Sequence, residues 1–125
     1  MDVNGSTCVP VQVDLYSLEK CLEITWDDNH ISRYPYWYVR GYCPCAHCQG
    51  HGGPIRFVEA DMHPDVSDIS EVGNYALTIA FKGGHRTGIY TFSYLRTMCP
   101  CAACREHLGD AHAVLGLPEH VRGLL

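Results

Sequence analysis

Residues 22–48 read LEITWDDNHISRYPYWYVRGYCPCAHC, and residues 77–104 read LTIAFKGGHRTGIYTFSYLRTMCPCAAC. With one residue inserted in the second stretch, 27 positions align and 11 are identical. Average residue usage gives about two by chance. The identities are Leu22/Leu77, Ile24/Ile79, His30/His85, Tyr34/Tyr90, Tyr38/Tyr94, Arg40/Arg96, Cys43/Cys99, Pro44/Pro100, Cys45/Cys101, Ala46/Ala102 and Cys48/Cys104. Two copies are too few for a solenoid. The expectation is an internally duplicated unit, its copies paired around one core.

Each stretch has the same local grammar. Leu22, Ile24 and Trp26 alternate with Glu23, Thr25 and Asp27, as Leu77, Ile79 and Phe81 alternate with Thr78, Ala80 and Lys82. Period two with one apolar face is the pattern of a half-buried strand. Asp28-Asn29 and Gly83-Gly84 tolerate positive φ and close a two-residue hairpin. The return strands start at His30 and His85 and end near Tyr34 and Tyr90. Pro35 (an N1 signal) and Thr91 (an N-cap) then open short helices, with Tyr36 and Val39, or Phe92, Leu95 and Met98, on the core face. Pro44 and Pro100 disfavour α geometry at Cys43 and Cys99, so each helix ends there and a cysteine loop follows.

Outside these stretches, Val9, Val11 and Val13 alternate and can add an edge strand. Val66 to Val72 precedes a Gly73-Asn74 turn, and residues 49–64 read as a loop. Residues 105–125 read as a short C-terminal helix and a frayed tail. The fold class expected is α+β, a small antiparallel sheet with two short helices, in one domain over residues 1–125. Apolar residues at 46% and charged residues at 18% of 125 exclude a disordered chain. Lys+Arg total 9 against Asp+Glu 14, a net charge of −5, which gives no footprint for nucleic acid or an anionic membrane surface. No apolar run approaches the roughly 20 residues that span a bilayer. The opening MDVNGSTCVPVQVDLY lacks the basic and apolar regions of a secretory signal, so a reducing, cytoplasmic setting is expected.

In that setting, eight cysteines in one short chain point to metal or redox chemistry rather than disulfides. Cys8 and Cys21 stand alone. Cys43, Cys45 and Cys48 form one triad, and Cys99, Cys101 and Cys104 a second. Three sulfurs within six residues can converge on one ion and leave one tetrahedral position for a distant ligand. Among eight histidines, His30 and His85 recur at matching positions. His47 and His51 lie beside the first triad, and His107 and His112 beside the second. Each recurring histidine can close the triad of its own copy or of the other, because loop-closure cost grows only logarithmically with length.

The strings VGNYALTIAFKGGHRTGIYTFSYLR and ITWDDNHISRYPYWYVRGYCPCAHC resemble the gamma-butyrobetaine hydroxylase-like N-terminal domain family, long called DUF971, over roughly residues 9–98. Members of that family occur alone, ahead of Fe(II)/2-oxoglutarate dioxygenases of carnitine synthesis, and fused to Mrp-type iron–sulfur carrier ATPases. The resemblance implies a zinc ion held by Cys43, Cys45, Cys48 and His85, the histidine of the later hairpin. A pseudo-twofold relation between the copies then maps a second site onto Cys99, Cys101, Cys104 and His30. The second triad departs from the family pattern, so the resemblance implies nothing direct about it.

No catalytic residues are expected. His63-Pro64-Asp65 matches part of a facial triad, yet the 60 residues after it cannot build an eight-stranded jelly roll. No phosphate-binding GxxxxGK[ST] motif is present, so no ATPase activity is expected. Three functions remain in competition. One is a non-catalytic accessory or interaction module holding one or two Zn²⁺ in Cys₃His sites. The second is a carrier or assembly accessory holding iron or an iron–sulfur cluster. The third is a thiol oxidoreductase, since CAHC and CAAC are formally CxxC. A redox CxxC normally opens a helix, whereas these motifs are expected to follow one. The sequence leaves room for a protein partner but identifies none, and the oligomeric state, monomer or homodimer, stays open.

Overall fold

The computed structural model describes residues 9–45, 49, 56–59, 63–83, 85, 88–108 and 117–125. Strands β1 (Pro10–Tyr16), β2 (Cys21–Trp26) and β3 (Ile31–Pro35) form one antiparallel sheet in the order β1-β2-β3, and helix α1 (Tyr36–Gly41) follows. Strands β4 (Val66–Val72), β5 (Ala76–Phe81) and β6 (Gly88–Thr91) form a second sheet in the order β4-β5-β6, followed by α2 (Phe92–Thr97). Helices α3 (Ala102–Leu108) and α4 (Glu119–Arg122) complete the described chain. The fold is α+β, with two three-stranded sheets where one small sheet was expected. The ladders close within each half because β1 and β4 each take the free edge of their own hairpin. Side chains join the two sheets.

The alternation in the sequence is realised in the central strands. Leu22, Ile24 and Trp26 of β2, and Leu77, Ile79 and Phe81 of β5, are all buried. They share one hydrophobic core with Tyr36, Val39, Phe92, Leu95 and Met98 of the helical segments. Thr91 caps α2, its hydroxyl accepting from the Tyr94 N–H at 3.1 Å. Pro35 caps α1 without a side-chain bond; the Tyr36 N–H donates to the Lys20 carbonyl at 2.8 Å instead. The Phe92 N–H does the same to Tyr75 at 2.8 Å, at the corresponding place in the second half.

The hairpins carry three-residue loops rather than two. Trp26 N–H donates to His30 C=O at 2.8 Å, and Asn29 N–H to Trp26 C=O at 3.0 Å, with Asn29 at φ 71°. This is a turn closed by a left-handed residue, whose side chain of Asn tolerates that geometry. In the second hairpin Phe81 N–H donates to His85 C=O at 2.7 Å, with Gly83 at φ 101°. There the pairing of Ile79 with Gly88 leaves one extra residue on the return strand, which absorbs the insertion seen in the sequence. Two further expectations change. The C-terminal tail does not fray at 117–122: Leu117 and Val121 insert into the core. The segment 102–108 is helical directly from the second cysteine motif. No helix among the described residues is long and apolar enough to cross a membrane.

Four buried tyrosines bind the halves together. Tyr34 Oη donates to Leu95 C=O, and Tyr38 Oη donates to Met98 C=O at 2.7 Å. In return, Tyr90 Oη donates to Val39 C=O and Tyr94 Oη to Tyr42 C=O, both at 2.7 Å. The last carbonyls of a helix lack the i+4 partner inside it; here two carbonyls at each helix end accept from the opposite half, while the Gly41 carbonyl accepts from the Val58 N–H at 2.8 Å. Burial pushes all four phenols above their ordinary range, so they remain donors. Tyr90→Phe should destabilise the fold by about 1–3 kcal/mol, because the buried Val39 carbonyl loses its tyrosine donor; Tyr34→Phe should cost less, since the Leu95 carbonyl also accepts from the Met98 N–H at 3.2 Å. Urea denaturation checks this, with the exposed Tyr75→Phe expected to leave the midpoint unchanged.

Candidate metal centres

Helix ends place the sulfurs. The chain leaves α1 with the Cys43 N–H on Arg40 C=O at 3.3 Å, and leaves α2 with the Cys99 N–H on Arg96 C=O at 3.4 Å. The residue before each, Tyr42 or Met98, has its carbonyl fixed by a tyrosine of the other half. Hairpin turns place the histidines at the starts of the return strands. The His30 N–H also donates to Asp28 Oδ1 at 3.0 Å.

Each histidine faces the cysteines of the other half. His85 Nε2 lies 3.2 Å from Cys43 Sγ. Donor atoms of Cys43, Cys45 and His85 all lie within 4.8 Å of one another. Cys48 lies outside the described residues. His30 Nε2 lies 3.3 Å from Cys99 Sγ, 3.7 Å from Cys101 Sγ and 3.5 Å from Cys104 Sγ. With zinc bonds of about 2.3 Å to sulfur and 2.0–2.1 Å to nitrogen, the N···S edge of a tetrahedron is about 3.6 Å. The second cluster therefore has the dimensions of a one-ion cage, and the described part of the first is compatible with the same. Both clusters can hold a metal ion.

Their cysteines are graded alike in exposure. Cys43 and Cys99 are buried, and Cys45, Cys101 and Cys104 half-buried. Burial pushes the Cys99 thiol up to about 12, so ionising it calls for a cation. Burial also opposes ionisation of Cys101, but hydrogen bonds from the Cys104 N–H, the Cys104 and Cys99 thiols and the Ala103 N–H outweigh it and the thiol is lowered. The Cys104 N–H reaches Cys101 Sγ at 3.4 Å. Burial, then Arg96, lower the His30 pKa, which favours the neutral imidazole a metal requires. Because Cys101 immediately precedes α3 and Cys104 lies within it, the second CxxC does open a helix. The expectation that it only follows one is corrected.

Other sequence candidates fall elsewhere. Asp65 bridges Lys20 Nζ at 3.0 Å and Lys82 Nζ at 3.3 Å, and His63 is exposed, so His63-Pro64-Asp65 is a structural corner between the sheets. His47, His51 and His112 lie outside the described residues, as does the side chain of His107. Several supporting residues went unread in the sequence. Ser32, buried, accepts from Trp26 Nε1 at 2.8 Å and bonds the Cys99 thiol. Its aligned residue is Gly88, where a Cβ would sit 2.8 Å from Cys43 Sγ. The Trp26/Phe81 difference was the available signal: the indole N–H needs an acceptor and phenylalanine does not. Gln49, also buried, donates to Cys43 C=O at 2.9 Å and to Arg56 C=O at 3.0 Å. Arg96 Nη1 donates to Cys104 Sγ at 3.1 Å.

Comparison with known proteins identifies the family and the fold. Residues 13–96 match the sequence profile of the family described as gamma-butyrobetaine hydroxylase-like, N-terminal. A crystal structure of a DUF971-family protein of unknown function from Acidithiobacillus ferrooxidans is 33% identical, with a TM-score of 0.59 over 70% of this chain and 88% of that one. A protein solved in solution by NMR is 28% identical, with a TM-score of 0.63 over 79% of this chain and 74% of that one. A second NMR structure, 24% identical with a TM-score of 0.61 over 84% and 87% of the two chains, shares the fold. A search of curated proteins gave no match.

Two outcomes test the geometry. In metal-loaded protein, His85→Ala should release metal from the Cys43 cluster and spare the Cys99 cluster, and His30→Ala should do the reverse. Alkylation of newly freed thiols, read on separate tryptic peptides, checks this; a histidine that affects the cluster of its own half disproves the crossed arrangement. Gly88→Ala should loosen metal at the Cys43 cluster and lower the melting temperature, because the new methyl crowds both Cys43 Sγ and the Tyr90 ring, each at 2.8 Å.

Proposed function

The chain belongs to the family of gamma-butyrobetaine hydroxylase-like N-terminal domains, and from that premise we propose that it is a non-catalytic zinc-binding accessory module of a reducing compartment such as the cytoplasm. Two ions are held, one by Cys43, Cys45, Cys48 and His85, the other by Cys99, Cys101, Cys104 and His30. The observation that carries this reading is the set of His30 N···S separations, 3.3, 3.5 and 3.7 Å, which bracket the edge of a zinc tetrahedron. Three thiolates and one imidazole fill all four positions, so no open position remains for water or substrate, the mark of a structural site. Zinc bound there cross-links one half to the other, and binding free energy becomes folding free energy. The module then serves a protein partner rather than a small substrate.

The compactness of the clusters argues against iron–sulfur loading. A cluster puts its cysteines on different irons, farther apart than the edges of a single-ion cage, whereas the donor atoms of each group of described residues lie within 4.8 Å of one another. One observation favours a second reading at the second cluster. Cys101 at the head of α3, with its thiol lowered by the Cys104 N–H and the neighbouring thiols, has the placement of a redox CxxC thiol. Cys99 and His30 beside the same sulfur favour the metal.

Anaerobically purified protein should contain about two zinc ions per chain and no visible colour. A strong chelator should lower its melting temperature substantially. Iron with absorbance near 400 nm would establish the cluster reading, and metal-free protein with a reversible Cys101–Cys104 disulfide would establish the redox one. An unchanged melt after verified metal removal would make the ions peripheral to folding.

A further inference from the structure

We propose that Arg96 and Asp28 clamp the second centre from outside, with Arg96 as a positioning residue that fixes Cys104 and offsets its thiolate charge. The proposal rests on the reading that Cys99, Cys101, Cys104 and His30 hold an ion. The contacts form a continuous path. Arg96 Nη1 donates to Cys104 Sγ at 3.1 Å, and Arg96 Nη2 lies 3.8 Å from Asp28 Oδ2. Asp28 Oδ1 accepts from the His30 backbone N–H at 3.0 Å. One carboxylate thus joins the turn that carries the histidine to the guanidinium that holds a cysteine. The two belong to opposite halves of the chain.

Charge gives the path its purpose. Three thiolates around a divalent cation sum to −1, and a guanidinium in contact brings the group to neutrality. Arg96 is only 23% exposed, so its charge is weakly screened. Its fork offers one arm to sulfur and one to carboxylate, a geometry lysine cannot reproduce. Asp28 is 59% exposed and its contact with Arg96 is long, so the guanidinium–sulfur bond is the stronger link. The residue aligned with Asp28 is Gly83, which has no carboxylate. The first centre lacks a carboxylate at that aligned position, and the two ions should be held with unequal strength.

The test uses zinc-loaded and cobalt-loaded full-length protein. Arg96→Met should release the second ion to a competing chelator about 10–100-fold more readily, the usual effect of losing an outer-shell partner. Freed Cys99, Cys101 and Cys104 should be alkylated while the Cys43 peptide stays protected. In cobalt protein the sulfur-to-metal charge-transfer band should move to lower energy, because a thiolate without its hydrogen bond is easier to oxidise. Arg96→Lys should restore part of the retention. Asp28→Asn, which keeps the acceptor for the His30 N–H, should give a smaller loss in the same direction. Unchanged retention and an unmoved band in Arg96→Met overturn the clamp. Equal loss at both clusters also overturns it, since that is general destabilisation. Wild-type protein with no metal at the second cluster overturns the proposal together with the reading beneath it, whereas a loaded wild type with an unaffected variant overturns the clamp alone.

Discussion

The exchange of tyrosine hydroxyls between the halves is the constraint on which the rest of this structure depends. Tyr34 and Tyr38 close the end of α2, and Tyr90 and Tyr94 close the end of α1. Helices of six residues cannot hold themselves together in water. Their final carbonyls sit inside the core, where an unpaired oxygen costs about 1–3 kcal/mol. The arrangement satisfies both helix ends and fixes the angle between the halves. It also delivers Cys43 and Cys99 to the opposite hairpins, because each begins one residue after a tied carbonyl. The cages are a consequence of that docking.

Similar backbones then carry different supporting chemistry. Both sheets shift register at corresponding places, between Pro10 and Gln12 and between Val66 and Asp68. Around the sulfurs the likeness ends. Ser32 bonds Cys99 where Gly88 merely makes room for Cys43, and Asp28 faces Arg96 where the aligned Gly83 offers nothing. Arg40 sits over the Phe81 ring, 6.0 Å from its centroid, and Arg96 reaches Cys104. Two cages of similar ligand type are therefore set in unlike surroundings. Thiolate basicity and ion retention follow those surroundings as much as the ligands themselves.

The position of α3 changes how the second motif is understood. Pro100 was expected to turn the chain away into a loop. Instead the chain turns at Cys101 and immediately starts a new helix, whose first N–H groups point at the Cys101 sulfur. Such bonds stabilise a thiolate whether it is a metal ligand or a nucleophile. What separates the roles is company: a buried third sulfur and an imidazole within 3.7 Å suit an ion better than a disulfide.

Much of this was legible in the chain itself. Period-two alternation marked β2 and β5, the turn residues marked where the hairpins lie though not the length of their loops, Thr91 marked the start of α2, and paired triads marked the cysteines as candidates for a metal-binding set. These are local signals, readable because backbone geometry repeats within a few residues. Tertiary structure decided the rest. Whether a sheet is shared or divided depends on which edges meet, and periodicity carries no information about edges. Leu117 and Val121 looked like the remnants of a tail because burial is a property of the surface they reach. The pairing of His30 with Cys99, Cys101 and Cys104, and of Arg96 with Asp28, spans some 70 positions of chain. At that separation loop-closure cost hardly distinguishes one partner from another. Only the docking of two halves, through oxygen atoms that no sequence pattern marks as partners, selects among them.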